Sequence, residues 1–247
     1  MKTNGLTKLE LLPKLAEAGV DKMDVSLYGA TAQTHDAMTH VPGSFNATIK
    51  GIKLIKKLGI QLQINYSVTN HNYHEAKDML ALARQFTHHI GMSRNITKRH
   101  KGEQSSPTYQ MSRDELTRFY QDNSELLRQP DFSPDKPIKC GCAVTNCGIS
   151  ATGEVYPCIG APFPAGNLKE QSFQEIWDHS PTFEFIRRLS IEDLKSCSGC
   201  GDRPYCTRSP GPVYTNTGDY TGPDPFTCMD AAVTRDLHKS PPCPSST

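Results

Sequence analysis

The sequence predicts an α/β protein: parallel strands covered by helices in the front half, then a small cysteine-rich, metal-binding region. Three observations predict it. Residues 1 to about 96 alternate helix-like and strand-like patterns and contain no cysteine. Within them, Ile60, Leu62, Ile64, Tyr66 and Val68 alternate strictly with Gln61, Gln63, Asn65 and Ser67, the period of a strand with one apolar face. All nine cysteines lie after residue 139, several as close-spaced pairs, which in a chain without an apolar signal-peptide core reads as metal ligation.

The 247 residues suffice for one large or two modest domains. Lys and Arg number 27 against 26 Asp and Glu, a net charge of +1 that gives no electrostatic case for nucleic acid or an anionic membrane. No apolar run approaches the ~20 residues of a membrane span. The expected compartment is the cytoplasm.

Taken in order, Leu12, Leu15 and Ala18 predict a helix ended by Gly19. Met23–Tyr28 predicts a strand, the first substantial one, with an unpaired apolar edge. Ser44 is expected to cap a helix carrying Ile49, Ile52, Ile55 and Leu58, ended by Gly59. After the alternating strand Ile60–Val68, Asn72 and Glu75 are expected to start a helix through Met79, Leu80, Ala83 and Phe86. A polar stretch, Thr97 to Gln110, precedes a helix opened by the capping-box pair Ser112 and Glu115. The tail after Arg235, with Pro241, Pro242 and Pro244, is expected to be disordered. Strands separated by helices imply parallel pairing. The polar face of Ile60–Val68 suits an open barrel lining a ligand cleft; a small open sheet with one wet face is the alternative.

The cysteines come in two groups interleaved in sequence. Cys140, Cys142 and Cys147 are followed by Gly153-x4-Cys158, then by Cys197-x2-Cys200, Cys206 and Cys228. Four thiolates suit a cubane iron–sulfur cluster, one per iron, and they equally suit structural zinc. His71, His74, His88 and His89 have no metal-site partners in the sequence, and Trp177 reads as a core anchor.

This run of spacings resembles the SPASM domain, the auxiliary-cluster domain of radical S-adenosylmethionine enzymes. Gly166-Asn167-Leu168, Ile176-Trp177, Thr217-Gly218-Asp219 and Gly222-Pro223-Asp224-Pro225 share the resemblance. In the front half, Thr3-Asn4-Gly5, Ser26-Leu27-Tyr28-Gly29, His35-Asp36 and Pro42-Gly43-Ser44-Phe45 resemble that family's partial (β/α) barrel. The resemblance implies a barrel portion over 1–110, a linker helix over 111–139, the SPASM domain over 140–235 and a disordered tail over 236–247. It implies one [4Fe–4S] cluster on Cys197, Cys200, Cys206 and Cys228. A second would use Cys142, Cys147 and Cys158, its fourth family ligand falling near Ser209, a poor iron ligand, with Cys140 as a possible substitute. Cys243 is not an expected ligand. Ser26 is implied to contact S-adenosylmethionine, with Asn65 and Ser67 on the same cleft-lining face.

The family's Cys-x3-Cys-x2-Cys, which holds the catalytic cluster with one open iron, does not occur in this sequence. The resemblance therefore implies a member missing its N-terminal third, whether truncated, a fragment or half of a split enzyme. The leading expectation is a part of a radical S-adenosylmethionine enzyme acting on a peptide, protein or peptide-derived substrate. A non-catalytic electron-transfer or partner-binding iron–sulfur module, and a zinc-stabilised structural domain, are the alternatives.

Overall fold

A computed structural model describes residues 1–4, 8–99, 106–133, 141–161 and 163–239. Gly5, Cys140, Cys243 and the tail from residue 240 lie outside the described residues. The chain divides into two units, Met1–Ile96 with Tyr109–Leu126, and Thr97–Thr108 with Leu127–Thr247.

The first unit is built on a parallel sheet of β1 (Lys2–Thr3), β2 (Lys22–Ser26), β3 (Gln61–Ser67) and β4 (Ile90–Ser93), in that order. Parallel neighbours need crossovers, which are helical here. These are α1 (Leu11–Glu17), then α2 (Ala32–Thr39) and α3 (Ser44–Lys57), then α4 (Ala76–Arg84). Met23 pairs with Leu62 and Val25 with Ile64, so the apolar rows of adjacent strands coincide. All four are buried, as are Ile60, Tyr66 and Val68. Leu12, Ile52, Ile55, Met79 and Leu80 bring the helices' apolar faces into the core. Burial of each such side chain contributes roughly 1.5–3 kcal/mol. Gly19 and Gly59 follow α1 and α3 at φ +87° and +73°, conformations that only glycine adopts without strain. Helix α5 (Arg113–Asp122) opens with the reciprocal Ser112–Glu115 capping box.

Three local expectations are corrected. The edge of the Met23–Tyr28 strand is covered, because Lys2 and Thr3 pair with Asp24 and Val25. Ser44 is the first residue of α3, not its cap. Asp36 holds that end, its carboxylate accepting from the Gly43 and Phe45 N–H groups at 2.6 and 2.8 Å and from the Ser44 hydroxyl at 2.9 Å. The Phe45 N–H bond is the main reason its carboxyl sits below its ordinary range. Asn72 and Glu75 form no capping pair; both side chains reach across the unit, as described below.

The second unit carries a three-stranded antiparallel sheet of β5 (Gly148–Ile149), β6 (Glu154–Tyr156) and β7 (Gly166–Asn167). Gly166 has no room for a side chain: a Cβ there would lie 2.8 Å from Ile176. Helices α6 (Phe173–His179), α7 (Pro181–Arg188), α8 (Pro210–Thr217) and α9 (Pro225–Lys239) complete the unit. Val155, Ala161, Ile176, Phe183, Ile186 and Tyr220 form its core, with Trp177 partly buried against them. Trp177 stacks on Phe173 and meets Phe183 edge-on, and the Arg187 guanidinium lies 5.0 Å from its ring centroid. Helix α9 continues past Arg235 to Lys239. Among the described residues no helix is long and apolar enough to cross a membrane.

Candidate metal centre and polar sheet face

Cys197, Cys200, Cys206 and Cys228 line one cavity of about 80 Å3 in the second unit. The first three are set by local winding. Successive N–H groups at Cys200, Arg203 and Cys206 donate to the carbonyls of Cys197, Cys200 and Arg203, a chain of tight turns with a three-residue step. Cys228 arrives from far along the chain, and the Gly222-Pro223-Asp224-Pro225 phrase explains how. Buried Asp224 accepts from the N–H and hydroxyl of Thr227 at 2.9 and 2.6 Å, and Pro225 takes the first helical position of α9. The Cys228 N–H donates to the Asp224 carbonyl at 2.9 Å, so the thiol stands one turn inside a firmly started helix. Partial burial, then the neighbouring Cys206, Cys197 and Cys200, push the Cys228 thiol above its ordinary pKa.

Among the described residues no three His, Cys, Asp or Glu side chains converge tightly enough to chelate one ion. The four cysteines line a space larger than the roughly 10–15 Å3 that a single water requires.

The other cysteines lie around the small sheet. Cys142 is buried in a tight loop in which Val144, Thr145 and Asn146 all donate to the Gly141 carbonyl. Ala143 occupies the left-handed region at φ +58°, and its N–H donates to the carbonyls of Asn146 and Pro157. The loop is thereby tied beside Cys158. Cys147 precedes β5, and burial raises its thiol pKa. The Cys158 sulfur lies so near Gly211 that a Cβ there would be 2.7 Å away. Ser209, at the N-cap position of α8 but without a side-chain capping bond, is two residues from that contact. The segment after Cys206 therefore runs beside Cys158.

In the first unit Ser26 pairs with Asn65, Asn65 with Gly91, and Ser67 with Ser93. Ser26, Asn65 and Ser67 are half-buried on the polar face at the carboxyl ends of their strands, where open α/β sheets bind ligands. The Gln63 side-chain amide donates to Asn65 Oδ1 at 2.8 Å, and Asn65 lies over Gly91, where a Cβ would come within 2.5 Å of it. Asp24 and Gln63, paired in register on the same face, were not singled out by motif. The period-two pattern did contain that signal.

Asn72 and Glu75 brace this rim. The Asn72 amide accepts from the Thr69 N–H at 2.7 Å and donates to the Tyr28 and Ser67 carbonyls at 2.9 and 3.0 Å, joining the ends of β2 and β3. Glu75 accepts from the Ala30 N–H at 2.8 Å and from the hydroxyls of Thr31 and Thr34, fixing the loop after β2.

Comparison with known proteins agrees with both units. The model for the SPASM iron–sulfur cluster-binding domain matches residues 140–201. An AdoMet-dependent heme synthase of Methanosarcina barkeri is 29% identical over 91% of this chain and 72% of its own length. A mycofactocin maturase of Mycobacterium ulcerans is 27% identical over 90% of the chain and 65% of its own. Among solved structures, anSMEcpe with bound AdoMet aligns with a TM-score of 0.63 at 14% identity, over 95% of this chain and 68% of that one. Streptococcus suis SuiB bound to precursor peptide SuiA aligns at 0.60 and 17%, over 92% and 58%. At such identities the structural likeness establishes the fold. The fold class is a partial (β/α) barrel of radical S-adenosylmethionine type followed by a small cysteine-rich domain. Within that class, the chain is similar to the radical S-adenosylmethionine proteins that carry a SPASM domain, the domain whose model matches residues 140–201.

Proposed function

We propose that residues 140–235 form an auxiliary-cluster domain in which Cys197, Cys200, Cys206 and Cys228 hold one [4Fe–4S] cluster. The observation that carries this reading is the cavity lined by these four cysteines, which two separate stretches of backbone bring together. Cys142, Cys147 and Cys158 would hold a second cluster, with Cys140 or the Ser209 side as its fourth corner. When bound, such clusters accept or relay single electrons. The chain's own part is to fix the thiols through the tight turns at Cys197–Cys206 and the Asp224-capped helix. The polar row of Ser26, Asn65 and Ser67 would line the cleft for S-adenosylmethionine.

The chain thus serves as the auxiliary-cluster part of a radical S-adenosylmethionine oxidoreductase. The maturase relatives favour a peptide substrate. A haem-type tetrapyrrole is the second reading, favoured by the heme synthase, which is slightly more identical and more fully covered. Thiolate-ligated clusters suit the reducing cytoplasm.

Anaerobic reconstitution followed by iron and sulfide analysis tests the reading. The expected result is four to eight irons with matching sulfide, as a cubane of four irons per site requires. Cys228→Ala should remove one cluster's share and Cys158→Ala the other's. Stoichiometric zinc without sulfide, in protein purified without oxygen, overturns it. Titrating the reconstituted protein with short peptides and with haem-type tetrapyrroles separates the substrate readings.

A further inference from the structure

Arg208 follows Cys206 by two residues and lines the same four-cysteine cavity. Its Nε and Nη2 donate to the Gly222 carbonyl at 3.3 and 3.1 Å, and Nη2 also donates to the Tyr220 carbonyl. Three bonds to the segment leading into α9 hold the planar guanidinium in one orientation. The remaining nitrogen, Nη1, is buried and has no hydrogen-bond partner among the described residues. Guanidinium groups stay protonated, so a buried N–H donor of this kind is costly unless an acceptor faces it. The cavity's one lining carboxylate, Asp202, is already paired with Arg235 at 2.5 Å. Arg203 adds a second cation to the wall. Two guanidinium groups thus stand among four cysteines in an otherwise largely apolar lining, which fits a sulfur-rich, anionic group.

We propose that Arg208 is a positioning and tuning residue for the group held by Cys197, Cys200, Cys206 and Cys228. Its Nη1–H donates to a cluster or thiolate sulfur, and its fixed charge raises the reduction potential there. This rests on the cluster reading above. The sign follows from charge: one-electron reduction adds a negative charge, and a nearby cation stabilises the reduced form more than the oxidised form. Hydrogen bonds to the sulfurs and net local charge are recognised determinants of such potentials. The clamp on Tyr220 and Gly222 gives Arg208 a second effect. It couples the geometry of the segment before Cys228 to the same guanidinium that senses the charge.

The test is an anaerobic redox titration of the reconstituted protein, followed by electron paramagnetic resonance. The signal of this cluster is the one that Cys228→Ala removes. Arg208→Gln is expected to lower its midpoint by about the 59 mV that a tenfold change in a one-electron equilibrium represents. Arg208→Lys should recover most of that shift, since it keeps the charge. A purely structural role would change iron content and leave the midpoint of the remaining cluster unmoved, and that result overturns the proposal.

If Arg208→Gln fails to retain iron, the wild-type protein gives the answer through guanidino-15N arginine. A 15N hyperfine coupling on the reduced cluster, kept in Arg203→Lys, supports Arg208 as the donor; no coupling overturns it. Wild-type protein with no iron or sulfide at these cysteines would instead sink the cluster reading, and the inference with it.

Discussion

Replacing Asn72 with alanine should destabilise the first unit by about 3–5 kcal/mol. Asn72 is fully buried, and its amide makes four hydrogen bonds: two with Thr69, and one each to the Tyr28 and Ser67 carbonyls. Truncation strips partners from three main-chain groups and a hydroxyl. A buried polar group left unsatisfied costs about 1–3 kcal/mol, and the lower part of the sum applies because an opened loop admits water. Against a typical domain stability of roughly 5–15 kcal/mol, the loss is large. Asn72→Asp is the informative companion, since it keeps the acceptor but turns an acceptor toward two carbonyls. It should be at least as damaging. Urea denaturation by circular dichroism measures the loss, and hydrogen exchange of peptides spanning residues 61–69 locates it. A change below about 1 kcal/mol in Asn72→Ala, with protection of β3 intact, would refute the reasoning.

His35 makes the first unit acid-sensitive. Its Nδ1 accepts from the Tyr28 N–H at 3.1 Å, and burial, opposed by the Asp36 charge, lowers its pKa below 6.5. The unfolded chain then takes the proton first, so this stability is present above about pH 6.5 and lost as pH falls below it. His35→Gln should flatten the fall in melting temperature between pH 7 and 5, and parallel wild-type and variant curves would contradict that. Ser209→Cys should raise iron content and make the second cluster less oxygen-labile; no change, together with iron loss in Cys140→Ala, would assign the corner to Cys140. These 247 residues alone should release no 5′-deoxyadenosine from S-adenosylmethionine under dithionite, since the sequence holds no Cys-x3-Cys-x2-Cys. Turnover above a no-protein control would show that a cluster outside that motif performs the cleavage.

The parts of the fold visible in the sequence were those with short-range causes. Ile60–Val68 announces its buried face because a strand repeats every two residues, and Ser112 and Glu115 announce a helix start because both partners lie within one turn. Asn72 and Glu75 misled for the complementary reason. Their identities suit a helix start, but their partners at Tyr28 and Ala30 are more than forty residues away. Ser44 misled because a better acceptor, Asp36, stood eight residues upstream. At the site, spacing grouped Cys197, Cys200 and Cys206, while the return of Cys228 rested on a family resemblance. Arg208 carried no signal at all, because an arginine after a cysteine is unremarkable until its carbonyl partners are known.

The Asp224-capped helix also has a temporal meaning. Three corners of the four-cysteine ring leave the ribosome well before the fourth, which becomes usable only when α9 has wound and docked. A chain that stops before Cys228 therefore holds only three of the four thiols. Closing the ring ties a late segment to an early one, so occupation withdraws loop entropy from the unfolded ensemble much as a cross-link does. Under the cluster reading, closure of the four-cysteine site thus waits for α9, and that helix is the latch.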